Sequence, residues 1–205
     1  MKRTMFLGGL AALLLAGCGA GLIQIPINNP MGLEGQKTTL SLRASSQAVA
    51  TIPDTSATFD DQDINIPVNP SGLDYTLSVR DIEFGAGCPN PLPSQIGVTI
   101  PYFKATVTDS TGSASGQVTD VKFSLTRSGS QITVSNVTGT LSFGDIGKLM
   151  GIIRKNGANT PNTATITFTD PANPSNPNLV TTSTPDLGNC SMTITWGGGR
   201  GVVKF

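Results

Sequence analysis

The feature that most limits how this chain can fold is a two-residue alternation of apolar and polar side chains. In residues 73–79, Leu, Tyr and Val alternate with Asp, Thr and Ser. Successive side chains of a strand point to opposite faces, so this pattern predicts a strand with one buried and one solvated face. The parity of the alternation shifts at Asp81, which predicts a bulge or a strand end there.

Similar segments recur along the chain, separated by turn sequences. They lie at residues 40–42, 64–68, 103–107, 121–125, 132–134, 164–168 and 192–196. Short alternating strands between turns are typical of a meander of antiparallel hairpins. Charged residues make up only 13% of the chain, well below the usual quarter, and neutral polar residues suit the outer faces of strands. We therefore predict an all-β fold, an antiparallel β-sandwich of immunoglobulin-like or jelly-roll-like type, with one short helix near 145–155.

That helix is predicted because the alternation gives way to helical spacing. Apolar residues stand at 146, 149, 150 and 153, and Asp145 precedes them as a plausible N-cap. We expect the helix to close one open end of the core, with a mobile lid or a membrane-facing element as the alternative.

Residues 170–178 are rich in Pro and Asn, so we predict a long exposed loop there, which could either carry binding or only connect two strands.

The N-terminus has the organisation of a secretory signal. Lys2 and Arg3 are basic, residues 6–16 form an apolar run, and small residues precede Cys18. These three parts in this order are typical of a secretory signal peptide. The apolar run is too short for an uncleaved membrane anchor, which takes about 20 apolar residues.

The sequence Leu15-Ala16-Gly17-Cys18 resembles the lipobox of bacterial lipoprotein precursors. The resemblance implies that Cys18 carries a lipid of the palmitate type, becomes the first mature residue and anchors the protein to a membrane. Gly19 is not the aspartate that resembles an inner-membrane retention signal. We therefore expect an outer-membrane location if the cell has an outer membrane.

These features divide the chain into a signal peptide (1–17), a lipid anchor with an N-terminal segment (18–36) and a β-sandwich domain (37–205). Whether residues 22–27 join the sheet stays open. If they do, the folded body is held close to the bilayer; if they do not, a longer leash reaches to Gln36.

The mature chain has 11 basic and 13 acidic side chains, a net charge of −2, so we expect no nucleic-acid partner.

The number of cysteines is consistent with a lipidated Cys18. If Cys18 is lipidated, Cys88 and Cys190 remain as an even pair in an oxidising compartment, and we expect them to form a disulfide. A metal site or a reactive thiol is the alternative. Two cysteines in a chain without histidine make a poor zinc site, and neither lies in a Cys-x-x-Cys motif.

Catalytic motifs are largely absent from the sequence. Without histidine, the Ser-His-acid and Cys-His arrangements are excluded, and we predict no catalytic residues, no cofactor and no enzyme activity. Asp60, Asp61 and Asp63 are weak metal candidates. Their spacing resembles the start of a calcium loop, but Ile66 stands where that loop needs glycine. We expect these aspartates to keep a loop solvated rather than to bind a metal.

Three functions remain compatible with these features. The leading hypothesis is a membrane-anchored cell-envelope lipoprotein acting as a non-catalytic binding, adhesion or structural module, whose partner is an envelope protein or a glycan. The alternatives are a carrier of a lipid or another apolar ligand, and a surface glycan hydrolase using Asp carboxylates.

Trp196, Tyr75 and Tyr102 could form a sugar-stacking platform, but Trp196 and Tyr75 alternate in phase with apolar neighbours, so we interpret them as core.

Overall fold

The computed structural model describes residues 25–29, 32–44, 47–59, 71–153 and 162–204. For residues 25–28 and Asn136 it describes the backbone but not the side chain. The described residues form fourteen strands and one helix, and all strand pairings are antiparallel. The strands are β1 (Ile25–Asn28), β2 (Lys37–Ser41), β3 (Ala48–Ala50), β4 (Thr55–Phe59), β5 (Gly72–Thr76), β6 (Val79–Phe84), β7 (Gln95–Asp109), β8 (Gly112–Ser128), β9 (Gln131–Thr138), β10 (Thr140–Phe143), β11 (Asn162–Thr167), β12 (Leu179–Thr182), β13 (Ser191–Trp196) and β14 (Arg200–Lys204). The helix is α1 (Ile146–Ile153).

The strands form a large and a small sheet, and one hydrophobic core contains residues from both. The large sheet has eleven strands, in the order β1-β14-β5-β10-β8-β7-β11-β4, with β12 and β3 attached beside β7 and β9 beside β8. The small sheet has the order β2-β13-β6. The prediction of an antiparallel all-β sandwich with one short helix is confirmed.

A long hairpin of β7 and β8 forms the centre of the large sheet. The two strands pair from Gln95 with Thr126 to Asp109 with Gly112, about three times the usual strand length. The Asp109 carboxylate closes the turn by accepting hydrogen bonds from the Thr111 hydroxyl at 2.6 Å and from the backbone N–H groups of Thr111 and Gly112 at 2.7 and 3.1 Å. The Thr111 hydroxyl and these amides hold the pKa of Asp109 below its usual value.

The chain changes sheet between β5 and β6. β5 lies in the large sheet and β6 in the small one, and the Gly197 N–H donates to the Ser78 carbonyl at 2.8 Å at the crossing. In β6, Val79 lies opposite Trp196 and Asp81 opposite Thr195, which leaves one extra residue, Arg80, in the strand. The bulge predicted from the parity shift at Asp81 is therefore confirmed.

The segment before β2 also belongs to the folded body. β1 pairs with β14, with Ile25 opposite Val203. Leu33 is buried, and the backbone of Gly35 and Gln36 exchanges hydrogen bonds with Trp196 at 3.0 and 2.9 Å. Of the segment 22–27, residues 25–27 thus join the sheet as part of β1, and residues 22–24 lie outside the described residues.

The helix caps the core as predicted. The Asp145 carboxylate accepts a hydrogen bond from the Lys148 N–H at 2.9 Å, the geometry of an N-cap. Four apolar side chains (Leu149, Met150, Ile152 and Ile153) are buried in the core, and the helix packs on β7 and β8. Residues 154 and 155 of the predicted helix lie outside the described residues.

Four aromatic rings form a row through the core and connect the two sheets. The ring centres are 6.4 Å apart between Tyr75 and Phe103, 5.9 Å between Phe103 and Phe168, and 5.5 Å between Phe168 and Trp196. At one end, the Trp196 indole N–H donates to the Thr38 hydroxyl at 2.9 Å. At the other end, the Tyr75 hydroxyl is buried and has no hydrogen-bond partner among the described residues, and burial raises its pKa.

The predicted loop at 170–178 is exposed from 171 to 176 and is organised by its own turns. The Asp170 carboxylate accepts hydrogen bonds at 2.9 Å from the Ala172 N–H and from the Asn173 side chain. At its end, Asn178 turns inward and is buried. Its side-chain amide accepts from the Ile52 N–H at 2.5 Å and donates to the Ile52 carbonyl at 3.0 Å.

We predict that Asn178→Ala lowers the free energy of unfolding by about 2–4 kcal/mol, because both buried polar groups of Ile52 lose their partner. Asn176→Ala in the exposed part of the same loop is the matched control and should change stability by less than about 0.5 kcal/mol. Urea unfolding of the two variants measures this difference. Equal midpoints would show that the amide of Asn178 has no structural role.

We predict opposite effects for two substitutions at the ends of the aromatic row. Tyr75→Phe removes a buried hydroxyl without a described partner and should raise the free energy of unfolding by about 1 kcal/mol. Thr38→Val leaves the buried Trp196 N–H without a hydrogen-bond acceptor and should lower the free energy of unfolding by about 1–3 kcal/mol. Thermal unfolding of both variants beside the parent measures the two shifts. A loss of stability in Tyr75→Phe would contradict the assignment of an unpaired hydroxyl.

Candidate functional site

A polar cleft of about 650 Å³ lies on the outer face of the large sheet, where β12 leaves β7. That volume is within the range of small-ligand sites, about 300–1,000 Å³. Its lining residues are all polar or glycine: Gln47, Ser94, Gln95, Gly97, Ser124, Thr181, Thr182, Ser183, Thr184 and Asp186. We call it the Gly97 cleft.

The floor of the cleft is a row of three residues on adjacent strands. Gly97 of β7 lies opposite Thr182 of β12 on one side and Ser124 of β8 on the other. Neighbouring strands are about 4.8 Å apart, so Thr182 and Ser124 stand about 10 Å apart across a residue that has no side chain. A Cβ atom at position 97 would meet the Thr182 Oγ1 atom. The Thr182 hydroxyl therefore occupies part of the space left by the missing side chain, and the rest of that space forms the trough.

Some polar groups of the cleft are engaged within the protein and others are not. The Thr181 hydroxyl donates to the Ala48 carbonyl at 3.0 Å, and the Ser183 hydroxyl donates to the Pro185 carbonyl at 2.8 Å. Within the described part of the chain, the side chains of Ser124, Thr182 and Gln95 make no such bond. These side chains are therefore available to a ligand.

Among the described residues that line the cleft, Asp186 is the only charged one. Its carboxylate accepts a hydrogen bond from the Gly188 N–H at 3.1 Å, which fixes the segment that forms one lip. A cleft with one carboxylate and no cationic side chain does not favour anionic ligands. The arrangement can bind by hydrogen bonding, and it brings no nucleophile–base pair together.

The cystine joins the two segments that form the lips of the cleft. Cys88 and Cys190 are 102 residues apart in sequence and their Cα atoms are 4.3 Å apart, bonded as the sequence predicted. Cys88 precedes Ser94 by six residues, and Cys190 follows Asp186 by four. The Asn189 N–H also donates to the Leu42 carbonyl at 2.9 Å. The cystine thus links the segment leading to Ser94 with the segment that follows Asp186, which are the two lips of the cleft.

The other residues singled out in the sequence do not contribute to the cleft. Cys18 and the candidate metal ligands Asp60, Asp61 and Asp63 lie outside the described residues. Across the described ranges, no three acidic, cysteine or histidine side chains are grouped as a metal site would require. The 170–178 loop joins the end of β11 to the start of β12, whereas the cleft lies at the far end of β12.

The described carboxylates mostly support local structure. Besides Asp109, Asp145, Asp170 and Asp186, Asp54 accepts from the Phe168 N–H at 3.2 Å. The Asp74 carboxylate forms a salt bridge with the Lys204 ammonium group, with 2.5 Å between Oδ2 and Nζ. It also accepts a hydrogen bond from the Ser142 hydroxyl at 3.0 Å. Each of these contacts orders a turn, a cap or two neighbouring strands. None of them pairs a carboxylate with a second carboxylate across a cleft, as glycoside hydrolysis requires.

The three aromatic residues considered as a sugar platform are buried. Tyr75, Tyr102 and Trp196 are 0%, 8% and 1% exposed, which confirms the interpretation of Tyr75 and Trp196 as core. The Tyr102 hydroxyl donates to the Gln117 side chain at 3.4 Å. Burial, and to a smaller extent the charge of Asp170, raises the pKa of Tyr102.

Two other spaces differ from the Gly97 cleft in lining and size. A pocket of about 550 Å³ lies beside β14 and contains Glu34 and Arg200. Within the core, the gap bounded by Leu33, Phe168 and Trp196 among others has no room for a water-sized molecule. That core space is below the roughly 300 Å³ of small-ligand cavities and gives no support to a carrier of a lipid.

The sequence did not predict the cleft, although it contains one signal. Gly97 interrupts the outward positions of the alternating segment Ile96-Gly97-Val98-Thr99-Ile100. A glycine inside a strand often marks the close approach of a ligand or of another backbone. The partners of Gly97, at positions 124 and 182, are too distant in sequence to be recognised from it.

Comparison with known protein families, with curated proteins and with solved structures found no match to this chain. No helix in the described ranges combines the length and the apolar character needed to cross a membrane.

We predict that Cys88→Ala with Cys190→Ala lowers the free energy of unfolding by about 4–5 kcal/mol, because the bond closes a loop of about 100 residues. Urea unfolding of oxidised parent and double variant measures the loss, and reduced parent should behave as the variant does. Cys18→Ser is the matched control and should unfold like the parent. A double variant as stable as oxidised parent would show that the cystine does not stabilise the fold.

Proposed function

We propose that this chain is a lipoprotein of the cell envelope, anchored by a lipid on Cys18, whose β-sandwich is a non-catalytic binding module acting through the Gly97 cleft. The observation that carries the anchor is the pairing of cysteines. Cys88 and Cys190 are bonded to each other, which leaves Cys18 as the one cysteine outside that bond. It follows a lipobox-like Leu15-Ala16-Gly17 sequence.

The position of β1 supports a domain held close to its membrane. Six residues separate Cys18 from Ile25, where the chain enters the sheet. Fully extended, that connection reaches about 25 Å. A leash of this length restricts the folded body to the immediate neighbourhood of the bilayer. Because Gly19 is not aspartate, the outer membrane is the proposed location in a cell that has one.

The distance between anchor and cleft supports a binding role for the cleft. β1 is an edge strand, and β14, β5, β10 and β8 separate it from β7. Five steps of about 4.8 Å each place the cleft about 24 Å from the anchored edge, measured along the sheet. The cleft is therefore offered to a partner away from the point of attachment. A polar lining without a nucleophile–base pair suits recognition rather than reaction.

We expect Cys18→Ser to abolish labelling by an alkyne analogue of palmitate in a bacterial host and to remove the protein from the membrane fraction. The Cys88→Ala, Cys190→Ala double variant is the matched control, because it should keep the label if Cys18 is the acylated residue. Unchanged labelling of Cys18→Ser would overturn the proposed anchor.

A further inference from the structure

We infer that the Gly97 cleft binds a neutral oligosaccharide, one sugar unit of which lies over Gly97 between Thr182 and Ser124. The inference names the ligand class of the proposed binding module and rests on that proposed function. It is carried by the charge, the hydrogen-bonding groups and the shape of the cleft.

The charge of the cleft selects against ionic ligands. None of the ten lining residues is cationic, so a phosphate or carboxylate would lose its hydration without gaining a counter-charge. A cation would find only Asp186, whose carboxylate already accepts the Gly188 N–H. A ligand that matches this lining carries no net charge.

The hydrogen-bonding groups select for a polyhydroxylated ligand. The described lining residues include no apolar side chain, so an apolar ligand would displace water from hydroxyl and amide groups and satisfy none of them. Ser and Thr hydroxyls both donate and accept, and the amide of Gln95 offers a carbonyl beside an NH₂ group. Sugar hydroxyls also donate and accept, and two on adjacent carbons match such an amide.

The shape of the cleft fits a flat ring laid on a sheet. Gly97 is half-buried, with the Thr182 hydroxyl leaning over it from one side and Ser124 on the other, and two strand pairings hold the three residues in register. A β-branched residue would suit this strand better, but its Cβ atom would clash with the Thr182 Oγ1 atom, so glycine is the residue that lets this hydroxyl lie at the floor of the cleft. The floor is rigid before the ligand arrives, which reduces the entropy lost on binding.

The test is calorimetric titration of the full mature protein in a detergent without a sugar headgroup. Maltotetraose, cellotetraose and tetraacetyl-chitotetraose are the neutral probes, with trigalacturonate and trilysine as charged probes. We expect at least one neutral probe to bind with a dissociation constant below about 1 mM and the charged probes to give no heat. Vesicles carrying digalactosyl diacylglycerol form a separate arm, which distinguishes a glycolipid from a free glycan.

Gly97→Val fills the trough and should weaken binding at least about tenfold. Ser124→Ala adds no bulk, removes one hydroxyl and should weaken it about threefold to tenfold, which keeps the test valid if Gly97→Val folds poorly. Thr106→Val, on the outer face of β7 beyond the cleft, is the matched control and should bind like the parent.

Three results would overturn the inference. They are no heat from any neutral probe or glycolipid vesicle at about 10 mM sugar, binding that neither Gly97→Val nor Ser124→Ala weakens, and binding of the charged probes alone. If another envelope component binds and Gly97→Val abolishes that binding, the ligand class is wrong and the binding module stands. Labelling of Cys18 tests the anchor independently of all these outcomes.

Discussion

The ladder between β7 and β8 supports the whole large sheet, because every other described strand of that sheet connects to one of these two directly or through a series of intervening strands. Near the turn, β7 pairs with β11 and β8 with β10; at the other end, β7 pairs with β12 and β8 with β9. The hairpin thus holds two groups of strands at its two ends. Its turn is closed by Asp109 through hydrogen bonds to residues two and three positions further on, so the most extensive pairing of the described fold requires the closure of only a short loop.

Local features of the fold could be predicted from the sequence because each depends on neighbouring residues. The alternation at 73–79 marks a buried face, the parity shift at Asp81 marks the bulge at Arg80, and Asp145 marks the start of the helix. The disulfide followed from compartment and cysteine count. The division into sheets could not be predicted, because residues 73–79 alternate without a break while the chain leaves the large sheet at Leu77 and enters the small one at Val79.

The cleft escaped prediction for a related reason. It consists of residues from β7, β8 and β12 that come together only through strand order, and serines and threonines are common on every outward face of this chain. What distinguishes the cleft is an arrangement: a glycine between two hydroxyl-bearing residues, at the place where a neighbouring strand ends. Conversely, the aromatic residues that stand out in the sequence are used in the core, where Phe168 and Trp196 connect the two sheets.

The cystine relates the cleft to the environment in which the protein is proposed to act. Bonding Cys88 to Cys190 fixes the segments on both sides of the trough, and the Leu42 carbonyl holds the second of them to the end of β2 through Asn189. Reduction would remove the covalent link between these two segments, whereas the pairing of β7, β8 and β12 that forms the floor does not depend on the cystine. We therefore expect reduction to lower ligand affinity while the strands of the floor stay paired. The cleft would then be complete only where the cystine is oxidised, as it would be in the proposed envelope location.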